Sequence, residues 1–264
     1  MTVFLSDLYA IAGRHVHHLV RLPEKLIGFT VMPVAMVLGL GILFGGSMRI
    51  SGGGEYGAYV AAGVITVMAV STVAVSALGV VDDLQDGMFD RLRSLPVDRT
   101  AVLLGRALVD SLPVAMSIVG VLPAAWIAGW PLGLGVPEVL AAMGLELLLG
   151  VGCSSLGVYI GLTIRNAEAV TSVVPVCLLP LTFLSDAFVP LDGLPGWLRT
   201  LASWNPVTAV TRTVRDLLGA PSAVTEMSFP VRHAPLIAVS FCLVLTVVAI
   251  LAATRAYDRA GTVR

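Results

Sequence analysis

The sequence predicts an all-α integral membrane protein of six transmembrane helices, and three observations predict it. Of 264 residues, 57% are hydrophobic and only 12% charged, whereas soluble globular domains carry about 25% charged residues. The mean hydropathy is +0.93. Six separate apolar runs each reach the roughly 20 residues that a helix needs to cross about 30 Å of hydrocarbon. Disorder, collagen and disulfide scaffolds are excluded on the same composition. A net charge of −1 leaves no basic footprint for nucleic acid. Lys25 is the single lysine and sits in Pro-Glu-Lys-Leu, so the chain carries no GxxxxGK[ST] phosphate-binding loop. Cys153, Cys177 and Cys242 fall in apolar runs without ligand spacing, which points to packing.

Taken in order, residues 1–25 open with a segment, 4–22, in which Leu5, Leu8, Ile11, Val16 and Leu19 alternate with Arg14, His17, His18 and Arg21. That pattern predicts a helix lying along the inner membrane face, with His15, His17 and His18 at the headgroups rather than on a metal. Pro23 turns the chain into the first span, 26–46, and the second is 56–81. Residues 82–100 form the most charged stretch. The third span, 102–128, carries Arg106 and Asp110 four apart, a pairing distance on a helix.

The fourth span, 139–164, holds Glu146 near its middle, where an acid costs about 2.5–3.5 kcal/mol and so faces a protein partner or a water-filled path. Gly150, Gly157 and Gly161 give the same span a small-residue face for close packing. The fifth span, 169–189, is expected to kink at Pro175 and Pro180. Its Thr171, Ser172, Thr182 and Ser185 either re-satisfy freed carbonyls or line a path. A long loop, 190–231, follows, with Pro195, Trp197, Trp204, Asn205 and Pro206 and then a helix-like 207–218. Its tryptophans suit short helices dipping back into the outer interface. The sixth span is 234–254. With both termini in the cytoplasm, eleven basic residues lie inside and five outside, four of these (Arg199, Arg212, Arg215 and Arg232) between spans five and six, as the positive-inside rule favours.

The charged loop supports two readings. Asp82, Asp83, Asp86 and Asp90 form a DDxxDxxxD series that could hold Mg²⁺ against a diphosphate, similar to the aspartate-rich motif of membrane prenyltransferases. No second DxxD faces it elsewhere in the chain. In the other reading Asp86-Gly87 ends span two, and Met88, Phe89, Leu92 and Leu95 recur at helical spacing. Arg91 and Arg93 flank that apolar face before Pro96 stops the helix.

Gln85-Asp86-Gly87, the run Arg91-Leu92-Arg93-Ser94-Leu95-Pro96, Arg99 and Leu104-Gly105-Arg106 resemble the coupling-helix region of ABC-2 type transporter permeases of the daunorubicin-resistance type. A second block is similar too: Ser185-Asp186-Ala187-Phe188-Val189-Pro190, Leu194-Pro195-Gly196-Trp197-Leu198, Asn205-Pro206-Val207-Thr208 and Arg215-Asp216-Leu217-Leu218. The resemblance spans essentially the whole chain as one transmembrane domain.

It implies a permease of an exporter of drug-like or lipid molecules in the plasma or inner membrane. Two copies of an ATPase subunit would bind ATP and Mg²⁺ in place of any cofactor of this chain, and a second permease, identical or paralogous, would complete the core. Asp86, Gly87, Met88, Phe89, Arg91, Leu92, Arg93 and Pro96 would then couple to the ATPase. Residues 191–205 would be the outer re-entrant segment, and Glu146, Thr182, Ser185 and Asp186 candidates for the path. Asp186 stands where family members often carry asparagine, and an acid there could favour a cationic cargo. A secondary transporter is the remaining rival, but it usually shows internal repeats and buried ions at broken spans.

Overall fold

The computed structural model describes residues 23–48, 50, 54–87, 99–130, 132–133, 135–220 and 228–259, and among these all regular structure is helical. Helix α1 (Pro23–Gly45) begins at the expected proline, whose missing N–H costs nothing at a first helical position. Helix α2 (Tyr56–Gln85) runs one turn beyond the predicted end, to the Asp86-Gly87 break. There Gly87 takes φ +67, a left-handed conformation that glycine adopts freely. The predicted interfacial helix at 4–22 and the loop residues Met88, Phe89, Asp90, Arg91, Leu92, Arg93 and Pro96 lie outside the described residues.

The third apolar stretch is broken rather than continuous. It comprises α3 (Arg99–Asp110) and α4 (Leu112–Ile127), separated at Ser111. Pro113 has no N–H to return to Val109, and Ser111 Oγ donates to Leu108 O at 2.7 Å beside the break. Helix α5 (Val136–Ile164) ends on Arg165 at φ 54, and the Asn166 side chain then caps α6 (Ala167–Phe183) by accepting from Ala169 N. A 3-10 turn at Leu191–Gly193, helices α7 (Gly196–Trp204) and α8 (Pro206–Leu217), a single turn at Phe229–Arg232 and α9 (Ala234–Arg259) complete the order among the described residues.

Among the described residues five helical stretches are long and apolar enough to cross a membrane, with α3 and α4 together forming one of them. The expected fifth span is shorter than predicted. Helix α6 has 17 residues, roughly 25 Å at 1.5 Å each, and stops six residues before the expected Val189. The chain leaves the helix at Leu184 because the next residues, Ser185, Asp186 and Ala187, turn inward and are buried.

Helix α5 is the centre of the bundle and packs most extensively on α2 and α9. The helix–helix contact with α2 depends on the absence of side chains. A Cβ on Gly157 would lie 2.3 Å from Val73 O, and one on Gly161 would lie 2.5 Å from Ala77 O. Gly150 faces the α3–α4 break instead, 3.1 Å from Ser111 Cβ, so the predicted small-residue face is shared between two partners. Burial separates centre from perimeter: 61% of the best apolar window of α2 and of α5 is buried, against 17% in α1 and 22% in α9. The exposed perimeter is apolar, with Ile42 and Leu43 on α1, Val176 and Phe183 on α6, and Leu236, Val244 and Val248 on α9. Cys153 and Cys242 are buried as expected, whereas Cys177 is exposed on α6.

Candidate functional site

The long loop expected after span five contains a buried helix. Every residue from Val207 to Arg215 is buried, because α8 inserts between α2, α5 and α9. Arg212 and Arg215, counted above as loop charges, are therefore interior residues. An arginine so enclosed needs a counter-charge. Asp186, fully buried, supplies it. Its Oδ2 lies 3.1 Å from Arg215 Nη1 and 2.6 Å from Arg212 Nε, and Arg215 Nη2 donates to Asp186 O at 2.7 Å.

The rest of the knot comes from α2 and α8. Tyr59 OH donates to Asp186 Oδ1, and its ring lies under the Arg215 guanidinium, 3.6 Å from carbon to centroid. Thr208 Oγ1 accepts from Asp186 N at 3.1 Å and donates to Ala202 O at 2.7 Å. Thr208, Arg212 and Arg215 stand at i, i+4 and i+7, one face of α8, so helix formation alone aligns all three. Asp186 reaches them because Ala187 packs on the bare backbone of α2, where a Cβ on Gly63 would lie 1.9 Å from Ala187 O.

Asn205 explains why α6 stops where it does. Its Nδ2 donates to Leu181 O at 2.7 Å and to Leu184 O at 3.0 Å, satisfying carbonyls at the end of α6. Its Oδ1 accepts from Val207 N at 2.9 Å, capping the start of α8, where Pro206 occupies the first position. One side chain thus terminates one helix and starts another.

Glu146 forms a second polar node. It is fully buried on α5, and its Oε1 accepts from Thr66 Oγ1 at 2.6 Å. Its Oε2 has no hydrogen-bond partner among the described residues. Tyr59 and Thr66 are seven residues apart on α2, so the two nodes share one helical face about 10 Å apart. Thr182 bonds back to Leu178 O and Leu179 O, and Ser185 to Thr182 O, so both hydroxyls serve the α6 backbone. Of the four predicted path residues, Thr182, Ser185 and Asp186 cluster at the end of α6, and Glu146 stands apart from them on α5.

The remaining candidates are scattered. Trp197 and Trp204 are exposed on α7, with Pro195 just before its first turn. Asp86 and Gly87 close α2. Asp83 is ion-paired with Arg106, which also lies 3.4 Å from Asp110, the pairing expected at i, i+4. Among the described residues no group of three acids, histidines or cysteines could hold a metal ion. Tyr59, Thr66, Thr208, Arg212 and Arg215 were not singled out from sequence as site residues. The available signal was the spacing of Thr208, Arg212 and Arg215 on one predicted helix beside an apolar face of Val207, Val210 and Val214.

A family model described as ABC-2 type transporter matches residues 6–218. The chain is 28% identical to the daunorubicin resistance ABC transporter permease protein DrrB1 of Streptomyces coeruleorubidus, over 74% of this chain and 69% of that protein. It is 25% identical to the putative transport permease ycf38 of Cyanophora paradoxa, over 86% of this chain and 80% of that one. A probable doxorubicin resistance ABC transporter permease protein, DrrC of Mycobacterium tuberculosis, is 24% identical over 51% of this chain and 49% of its own length.

Proposed function

The chain belongs to the ABC-2 type transporter family, and on that premise we propose that it is the permease subunit of an ATP-driven exporter of lipophilic drug-like or lipid molecules. The family is one of transport permeases and not of enzymes, which removes the prenyltransferase reading of the aspartate series. The observation that carries the proposal is the extent of the match, 6–218, which includes both the charged loop and the Asp186–α8 segment. Two relatives named as daunorubicin and doxorubicin resistance permeases support the cargo class.

In this reading α6 is a sixth, short span, α7 and α8 are the outer re-entrant pair, and both termini are cytoplasmic. The loop at 82–100 docks on a separate ATPase, with two ATPase chains and a second permease completing the exporter. ATP and Mg²⁺ bind to the ATPase. The Asp186–Arg212–Arg215–Tyr59 knot then ties the re-entrant pair to α2, so movement of α2 from its loop end carries the outer segment with it. Glu146 of α5, which accepts from Thr66 two turns further along that face of α2, is the acid such a path meets inside the bilayer.

The experiment is co-purification of the chain with its ATPase, followed by transport assays in proteoliposomes. The chain alone is expected to show no ATP hydrolysis, and the complex to export a hydrophobic fluorescent amine only with ATP. Export driven by a proton gradient without ATP would instead establish a secondary transporter.

A further inference from the structure

We propose that a groove between the Ile164 end of α5 and the Arg259 end of α9 binds the phosphate headgroup of an anionic phospholipid. The groove has a volume of about 530 Å³ and is lined by Tyr159, Leu162, Thr163, Arg165, Ala252, Arg255 and Ala256. That size lies within the roughly 300–1,000 Å³ typical of small-ligand sites. Arg165, Arg255 and Tyr159 bring two guanidinium groups and a phenol to its lining, while Thr163 Oγ1 donates to Tyr159 O at 2.8 Å, and the described lining residues include no acid. Such a set is complementary to a singly charged phosphodiester, and basic pockets between helix ends are where anionic lipid headgroups bind.

The neighbouring surface of α9 points to a lipid rather than a free anion. On α9, Val244, Val247, Val248 and Leu251 are exposed, and Arg255 follows them at i+4 from Leu251 on the same face. An exposed apolar stripe therefore leads directly to the arginine, as an acyl chain leads to its headgroup. Arg165, in turn, adopts φ 54 and is the one described residue other than glycine with positive φ. Glycine is the usual residue in a left-handed helix end, so an arginine is held there against its backbone preference. Its Nε donates to Leu162 O at 3.0 Å, which anchors the guanidinium at the groove.

The test uses the full chain in detergent, titrated with dioleoylphosphatidylglycerol or dioleoylphosphatidylcholine while thermal unfolding is followed by tryptophan fluorescence. Native mass spectrometry counts the lipid retained. Phosphatidylglycerol is expected to raise the midpoint and to be retained, and phosphatidylcholine is not. Arg165→Gln and Arg255→Gln should each weaken that preference about fivefold, and the double variant about twenty-five-fold. Arg255→Lys, at an exposed position that tolerates exchange, should keep most of it. Equal binding of the two lipids, or full preference in the double variant, overturns the proposal. Inorganic phosphate stabilising the chain as well as the lipid would overturn it in favour of a free-anion site. A double variant that keeps its lipid preference but no longer co-purifies with the ATPase would make the groove a protein-docking face.

Discussion

Replacing Asp186 by asparagine leaves Arg212 and Arg215 buried side by side without their shared carboxylate. Removing one partner of a buried ion pair costs about 3–5 kcal/mol, because the stranded charge cannot be solvated. Asp186→Asn should therefore lower the thermal midpoint far more than a surface exchange, and adding Arg212→Gln should recover part of the loss. If Asp186→Asn unfolds like the parent chain, the knot contributes nothing to stability. Thr66 and Glu146 call for a smaller expectation. Hydrogen bonds between membrane helices average about 0.6 kcal/mol, and Thr66→Val also leaves both Glu146 oxygens without a donor, a penalty of about 1–3 kcal/mol for a buried group. Glu146→Gln keeps the acceptor that Thr66 uses and removes only the ionisable group. The assembled complex should survive that exchange, with a changed transport rate or pH profile if Glu146 meets cargo or protons. An unchanged rate and profile would reduce Glu146 to a packing residue.

Helix termini are the second level at which this chain can be tested. Asn205 caps two helices at once, so Asn205→Ala should lose about 1–2 kcal/mol, since each cap is worth about 1 kcal/mol. Asn205→Asp separates the two roles. The carboxylate still accepts from Val207 N but cannot donate to Leu181 O or Leu184 O, and its charge sits against the negative end of α6. Protease nicking near 184–195 should accelerate in both variants, and an aspartate variant as resistant as the parent would show that the α6 cap is dispensable. The α2–α5 contact is equally specific. Gly157→Leu forces a side chain where Val73 O stands 2.3 Å from a Cβ, so the two central helices must separate. Loss of the folded peak on size exclusion is the expected result, whereas Gly144→Leu, with nothing within 4 Å of its Cβ position, should be tolerated.

For the whole molecule the decisive measurement is attachment of the ATPase. Phe89 and Arg93 belong to the loop that resembles a coupling helix, and interface anchors of that kind are worth 2 kcal/mol or more, roughly thirtyfold in affinity. Phe89→Ala and Arg93→Ala should weaken ATPase pull-down and uncouple hydrolysis from transport, while Asp82→Asn leaves both intact. Full binding and transport by both alanine variants would move the docking surface elsewhere. Membrane class, the helix end at Asp86-Gly87, the helix start at Pro23, the Arg106–Asp110 pair and the family were all legible in the amino-acid order. Hydropathy, proline and glycine act locally and leave local traces. The length of α6 and the pairing of Asp186 with arginines 26 and 29 residues later were decided only by tertiary structure. Arg212 and Arg215 look like loop charges until α8 is inserted between α2, α5 and α9, because burial of a charge depends on its counter-charge, and that partner comes from a distant part of the chain.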